Sequence, residues 1–290
     1  MYEKAWGPMK AHLEEEKPCI VCGGQALELW AQEQYLTAQK CLNCGMISTN
    51  PYFTEEGLVE FYSNYLDNRF QQAELMAQRE KTYLIDRDWV SLFVKGGKVL
   101  DVGCSGGFFL SKFDPQLWQR EGVEIAPDAA KLTQTQFNIP VHVGNIIDLD
   151  IKTRYDLIML RGVIEHFREP IQCLEKCASL LRPGGHLFIT ATPAGDSFAF
   201  DVYREKWRMF TPLEHVHFFS VQLLNRVMKP MGLLPVSHHY QYEETPYANP
   251  SKDFAQIRQD IALIQSGRKK EVGISGPFPG SMLTALWKKT

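Results

Sequence analysis

The chain has 290 residues, enough for one large core plus a small second unit, and its 44% hydrophobic and 22% charged content is ordinary for a globular protein. Its formal charge is −3, with 31 Lys and Arg against 34 Asp and Glu, so no basic field points to nucleic acid as the dominant partner. No apolar run approaches the roughly 18 residues a membrane helix needs, and the first residues, "MYEKAWGPMKAHLEEEKP", hold no apolar signal-peptide core. A cytoplasmic protein without membrane insertion is therefore expected.

The amino-terminal segment, residues 1–50, is marked by Cys19-x-x-Cys22 and Cys41-x-x-Cys44, with 18 residues between the pairs. This is zinc-ribbon spacing. Glycine follows each pair (Gly23, Gly45), giving room for the tight turn that lets backbone amides approach the sulfurs. Four thiolates fill a tetrahedral zinc and leave no open position, so the site is expected to be structural. A redox dithiol is the alternative, but that motif belongs on a thioredoxin-like unit. The segment carries four lysines and six glutamates, which argues against phosphate binding. Cys104, Cys173 and Cys177 lie among apolar residues and read as small buried hydrophobes.

Residues 51–95 form a helical connector. Thr54 can cap a helix whose positive first turn suits Glu55 and Glu56. Leu58, Phe61, Tyr62 and Tyr65 then fall on one helical face. Tyr62 and Tyr65 suit a lid over a ligand, and core packing explains them nearly as well. A second helical pattern, about 71–93, ends at "KGGK".

From residue 96 strands alternate with helices. "KVLDV", "QREGVEI", "VHV", "YDLIML" and "HLFITAT" read as strands one to five. Helices are expected to start at "FFLSKF", at "PDAAKLTQTQF", and over about 169–181, with "LRPGG" as the last one's stop. "SVQLLNRVMKPMG" is a further helix, and "LLPVSHHYQY" and "SMLTALWKK" are closing strands separated by a helical insert, about 251–266. Such alternation predicts a doubly wound, mostly parallel α/β sheet of seven strands over 96–290, with ligands beyond the carboxyl ends of the strands.

The turn after strand one reads Asp101-Val-Gly103-Cys104-Ser105-Gly106-Gly107. It is not a dinucleotide fingerprint, because the second and third required glycines fall on Ser105 and Phe108. The P-loop's Gly-Lys-Ser/Thr is absent too. Asp101 would repel a pyrophosphate and attract an ammonium or sulfonium cation. An ordinary turn with no ligand is the plain alternative. In this turn the chain resembles the class I S-adenosylmethionine-dependent methyltransferases, whose first motif is D-x-G-C-G-x-G, with Ser105 replacing the middle glycine. The resemblance implies a Rossmann-like sheet. It also implies that Asp101 and the backbone of Gly103, Cys104, Ser105 and Gly107 hold the methionine part of S-adenosylmethionine.

Further matches follow in order. Glu124, 23 residues after Asp101, takes the position of the ribose-binding acid, with Ile125 beside it for the adenine. Asn145 and Ile146 of "GNIIDLD" match the adenine-edge positions. Arg161 and Gly162 in "YDLIMLRGVIEHF" lie where the fourth strand ends under the methyl group, and "LRPGGHLFIT" is the family's usual fifth-strand approach. "PLEHVHFFS" marks a subgroup of the family.

Methyl transfer from a sulfonium depends mainly on orientation, and a base is needed only for acceptors with a high pKa. His166, His215 and His217 are the candidates; His215 and His217 would share a face if "EHVHFF" is extended. His166 as a helix-start residue bonded to backbone is the bland reading. Glu165 with His166 resembles a divalent-metal arrangement of some quinone-ring O-methyltransferases. Phe198, Phe200, Tyr203, Trp207 and Phe210 either wall an acceptor pocket or pack a covering loop.

A four-cysteine ribbon on this domain resembles two families. One is the sugar C-methyltransferases, whose extra carboxyl-terminal domain this sequence lacks; the other is a more basic rRNA guanine methyltransferase. The expected activity is O-, N- or C-methylation of a small-molecule or saccharide-linked acceptor. The alternatives are an RNA or protein acceptor docked by the ribbon, or an inactive binding protein, for which Ser105 and Arg161 are the unusual residues.

Overall fold

A computed structural model describes residues 5–69 and 73–290, with backbone only for 63–69 and 73–77, so Tyr65 lies outside the described side chains. The amino-terminal region contains α1 (Trp6–Met9) and the strands β1 (Leu27–Glu33), β2 (Leu36–Cys41) and β3 (Ile47–Thr49). Helices α2 (Glu55–Arg69) and α3 (Ala73–Val90) follow. The alternating region supplies β4 (Gly97–Val102), β5 (Trp118–Glu124), α4 (Pro127–Phe137), β6 (Val141–Val143), β7 (Tyr155–Arg161), α5 (Pro170–Leu180) and β8 (Leu181–Pro193). It closes with α6 (Phe198–Tyr203), β9 (His217–Phe218), α7 (Val221–Met228), β10 (Leu233–Tyr240), α8 (Pro250–Gln265) and β11 (Met282–Lys289).

Seven of the strands form one sheet in the order β10-β11-β8-β7-β4-β5-β6. The run from β8 to β6 is parallel, and β11 is antiparallel to both neighbours. The continuous apolar run of β7 is buried along its length, as a strand covered on both faces requires. On one face Val90 at the end of α3 and Val94 just after it pack with Val99, Leu157 and Phe188. On the other, Leu174 and Cys177 of α5 and Leu224 of α7 pack on Leu100 and Ile158. Cys173 and Cys177 are buried, in keeping with their reading as small hydrophobes. Strand order reverses between β4 and β7, and the register brings Val102, Glu124 and Arg161 to the same carboxyl edge. That is where an open α/β sheet makes its crevice.

One local expectation fails. No α-helix follows the glycine-rich turn; a single 3-10 turn, Leu110–Lys112, stands there. Gly107 is left-handed (φ 75°) and Asp114-Pro115 ends the segment seven residues later, leaving no length for a helix. "LRPGG" does stop α5, which ends at Leu180; β8 begins at Leu181 directly after it and absorbs the glycines as a register shift opposite Tyr155 and Leu157.

The second sheet has the order β1-β2-β3-β9, so its fourth strand comes from beyond β8. Cys19, Cys41 and Met46 share the core with the α5–α7 face of the large sheet. Phe200, Tyr203, Trp207 and Phe210 are buried with Trp30, Ile47, Phe218 and Ile257. They pack the covering loop between the small sheet and α8, while Phe198 stays 50% exposed. Among the described residues no helix is long and apolar enough to cross a membrane.

Candidate functional site

The crevice is built from the ends of β4, β5 and β7. Gly103 and Gly107 are left-handed, at φ 72° and 75°. A Cβ at Gly103 would meet Val163 Cγ2 at 2.8 Å, and one at Gly107 would meet Thr133 Cγ2 at 2.6 Å, so only glycine fits either place. Ser105, the departure from the expected motif, is also left-handed at φ 50°. It is held there at both ends of its peptide: its N–H donates to Glu124 Oε2 at 2.8 Å and its carbonyl accepts from Thr133 Oγ1 at 2.8 Å. Glu124 also accepts the Ala126 amide on Oε1 at 2.8 Å, so one carboxylate ties the glycine-rich turn to the start of α4. Cys104 is buried, with its sulfur against Gly122 of β5.

Asp101 is 3% exposed. Burial pushes its carboxyl up to about 8; Glu124 adds to the rise and Arg161 opposes it. A buried acid that holds its proton near neutrality is poised to ionise against a cation. Ile125 is 61% exposed beside Glu124. Asn145 caps its own turn, its Oδ1 accepting the Ile147 amide at 3.2 Å, and the Ile146 side chain is buried in the core. What Ile146 can offer the crevice is therefore backbone.

The Arg161 side chain is committed elsewhere. Its Nε donates to Asp86 Oδ2 at 2.7 Å and its Nη2 to Thr82 Oγ1 at 2.9 Å, with the guanidinium 4.5 Å over the Tyr83 ring. Asp86 is fully buried and also accepts from Thr190 Oγ1 and Gln241 Nε2. This network joins α3 to the ends of β7 and β8. Nothing in the sequence pattern signalled it, because a lone Asp on a helix has no motif.

Beyond β7 the chain brings Glu165, His166 and His215 together, with ligand atoms within 4.8 Å of one another. The two rings lie 5.0 Å apart. His166 Nδ1 is 2.9 Å from the Glu214 carbonyl and His215 Nδ1 is 2.8 Å from the Met209 carbonyl. A carbonyl only accepts, so both rings carry the proton on Nδ1 and keep Nε2 as the basic atom. Glu165 is 1% exposed and accepts from Thr192 Oγ1 at 3.1 Å. Burial pushes its carboxyl up to about 8, with Glu214 adding to the rise and nearby amides and Thr192 opposing it. Oε1 of Glu165 lies 3.8 Å from where a Gly162 Cβ would stand, which sets the acid at the end of β7. His217 is not in this group. Strand pairing begins only at His217, and the two rings take different partners: His215 meets Met209 and His166, whereas His217 meets Ser48. His217 is buried, with Nδ1 3.0 Å from Ser48 Oγ, and lines a cavity of about 390 Å³ with Ser48, Thr49, Tyr52 and Arg168. Burial pulls its imidazole down to about 4, so the ring is neutral.

The four cysteines of the amino-terminal segment converge. Cys19 Sγ is 3.5 Å from Cys44 Sγ, Cys22 Sγ is 3.6 Å from Cys41 Sγ, and all four sulfurs lie within 4.8 Å of one another. A tetrahedral ion with bonds of about 2.3 Å needs sulfurs about 3.8 Å apart, so the donor set fits a soft tetrahedral cation. Burial raises the Cys19 thiol against the opposing amides of Cys22 and Val21, whereas at Cys41 the amides of Cys44 and Asn43 and the neighbouring thiols outweigh burial and lower it to about 7.

Residues 55–238 match the family model of a methyltransferase domain. Over 114 residues the chain is 30% identical to a ubiquinone biosynthesis O-methyltransferase of Xanthomonas campestris pv. campestris, covering 36% of this chain and 48% of that protein. It thus spans about half the length of the curated relatives it matches. A SAM-dependent methyltransferase of Thermotoga maritima superposes with a TM-score of 0.55 at 16% identity, over 79% of this chain and 100% of that one. The 1,6-didemethyltoxoflavin-N1-methyltransferase of Burkholderia thailandensis, solved with 1,6-didemethyltoxoflavin and S-adenosylhomocysteine, gives 0.53 at 16% identity, over 91% and 99%. These structures share the fold.

Proposed function

We propose that this chain, which belongs to the methyltransferase-domain family, transfers a methyl group from S-adenosylmethionine to a small-molecule or saccharide-linked acceptor. The observation that carries the cofactor assignment is the Asp101 carboxyl, buried near the end of β4 beside the left-handed Gly103 and Gly107. When bound, the cofactor supplies a methyl group already activated on a sulfonium.

On this reading Asp101 pairs with the ammonium of the methionine part, and the Gly103–Gly107 turn lets backbone approach it. Glu124 keeps a lone pair on each oxygen for the ribose hydroxyls while it holds Ser105 and Ala126. Ile125 covers the adenine, and the backbone at Asn145 and Ile146 meets its edge. Arg161 acts through Asp86, fixing the end of β7 so that Gly162 can lie under the methyl group. The acceptor sits between that strand end and the His166–His215 pair. Either Nε2 can take the acceptor's proton. His217 serves the joint with the small sheet. Zinc on Cys19, Cys22, Cys41 and Cys44 is structural, since four thiolates leave no open position.

A small acceptor is favoured because the cysteine segment is built into the core and into the β3–β9 pairing, not presented as a basic docking face. Neither residue that departs from the family motifs requires an inactive protein: Ser105 is accommodated by its own hydrogen bonds, and Arg161 is paired with Asp86. A second reading places a hard divalent cation on Glu165, His166 and His215, whose ligand atoms converge. In that case activity lost on dialysis returns with Mg²⁺ or Mn²⁺ while the thiolates keep their zinc.

The test is a cell extract incubated with enzyme and S-adenosylmethionine labelled on the methyl group. Label in the small-molecule or saccharide fraction is expected. Label confined to RNA or protein would overturn the acceptor class, and no label above an enzyme-free control would overturn the reading.

A further inference from the structure

Strand β3 lies between the cysteine cluster and the loop that carries His215. Cys44 is separated from β3 by only Gly45 and Met46. The second cysteine turn is closed by Gly45 N–H to the Cys41 carbonyl at 2.8 Å and Cys41 N–H to the Met46 carbonyl at 2.8 Å. The strand leaves that turn with Met46 and Ile47 buried, so its position is fixed by the cysteines behind it.

Its other edge pairs with the loop. Ile47 lies opposite Phe218 and Ser48 opposite His217. Thr49 donates its N–H to the Val216 carbonyl at 2.7 Å and its hydroxyl to the His215 carbonyl at 3.4 Å. Ser48 Oγ meets His217 Nδ1 at 3.0 Å, and Tyr52 donates to the Leu213 carbonyl at 3.3 Å. The far side of the same segment is tied to the reaction centre, because Val216 N–H donates to the backbone carbonyl of Glu165 at 2.8 Å. Residues 213–218 are thus held between β3 and Glu165, and regular pairing in this stretch is limited to the two residues of β9.

We propose that Ser48, Thr49 and Tyr52 are positioning residues for methyl transfer: through residues 213–218 they hold His215 against His166 and Glu165, so the metal-bound cysteine segment is a wall of the catalytic site. This rests on placing the His166–His215 pair at the reaction centre. Cofactor binding, which depends on β4, β5 and β7, is independent of that wall.

The experiment uses the full chain in two forms. One is metal-loaded and carries Thr49→Val with Tyr52→Phe; the other is Cys22→Ser, with zinc content measured for each. Hydrogen exchange, S-adenosylhomocysteine affinity by calorimetry, and the histidine ring resonances are compared with wild type. Exchange at 213–218 is expected to rise about tenfold or more in both forms. The His166 and His215 resonances should shift together, and S-adenosylhomocysteine affinity should stay within about twofold. Thr49→Ser, which keeps the hydroxyl, should restore most of the wild-type exchange. If Cys22→Ser unfolds globally, the metal-loaded double variant alone decides. Unchanged exchange and resonances there, or loss of S-adenosylhomocysteine binding with exchange rising across the large sheet, would overturn the proposal. Wild-type protein that fails to bind S-adenosylhomocysteine would instead overturn the cofactor reading beneath it.

Discussion

Replacing Asp101 with asparagine separates charge from shape at the centre of the cofactor crevice. In the cofactor-free protein this carboxyl is buried and raised to about 8, so near pH 7 most molecules hold it neutral. An arriving cation favours the ionised form, so binding must release that proton at any pH below about 8. Affinity should then rise with pH by up to tenfold per unit, about fiftyfold between about pH 6 and pH 8, each full unit being about 1.4 kcal/mol. Asparagine keeps the volume and stands in for an acid that was already neutral, so stability near pH 7 should change by less than about 1 kcal/mol. Binding should lose the charge-assisted bond, about 1.5–3 kcal/mol or roughly tenfold to 150-fold, and its pH dependence should vanish. Calorimetry with S-adenosylmethionine in two buffers of different ionisation heat counts the released protons directly, and thermal unfolding reports the stability. A wild-type affinity that is flat over this range with no proton release, or a variant that binds like wild type, would refute the reasoning.

Three further outcomes follow from the same geometry. Asp101 and Glu165 both have folded values near 8, above the roughly 4 of an unfolded carboxyl, so the folded state holds protons more tightly in between. The cofactor-free protein should therefore be most stable at the acid end of that window and lose stability as pH rises towards 8, read as a falling Tm that Asp101→Asn partly flattens. Arg161→Met leaves the buried Asp86 without its cation and should cost about 3–5 kcal/mol in urea unfolding, with Asp86→Asn added to it recovering part of the loss. Glu124→Gln sets an amide NH₂ against the Ser105 or Ala126 N–H and should weaken S-adenosylhomocysteine binding by about 1–3 kcal/mol; wild-type affinity would remove the ribose assignment.

The sheet was readable because its strands are continuous apolar runs set between proline-started or serine-capped helices. Ser220 does cap α7, accepting the Leu223 amide at 3.1 Å. The missing helix after Gly107 was not readable from the apolar run "FFLSKF", since the decisive facts are a left-handed glycine and a proline soon after it, which act through length and not periodicity. The crevice residues were marked by motif, but the direction of the Arg161 side chain depends on Asp86, 75 residues away in sequence. The aromatic loop read equally as pocket or packing because ring burial is decided by the small sheet, whose fourth strand arrives from residue 217. The histidines show the same limit: spacing of two implied one face, but strand pairing starts only at His217, and the two rings take different partners.

The most direct test of the account is a crystal structure of the protein with S-adenosylhomocysteine. The homocysteine amine is expected on the Asp101 carboxylate, the ribose on Glu124, and the sulfur above Gly162 facing His166 and His215. A ligand bound elsewhere, or an Asp101–Glu124 crevice that stays empty at saturating ligand, would contradict it.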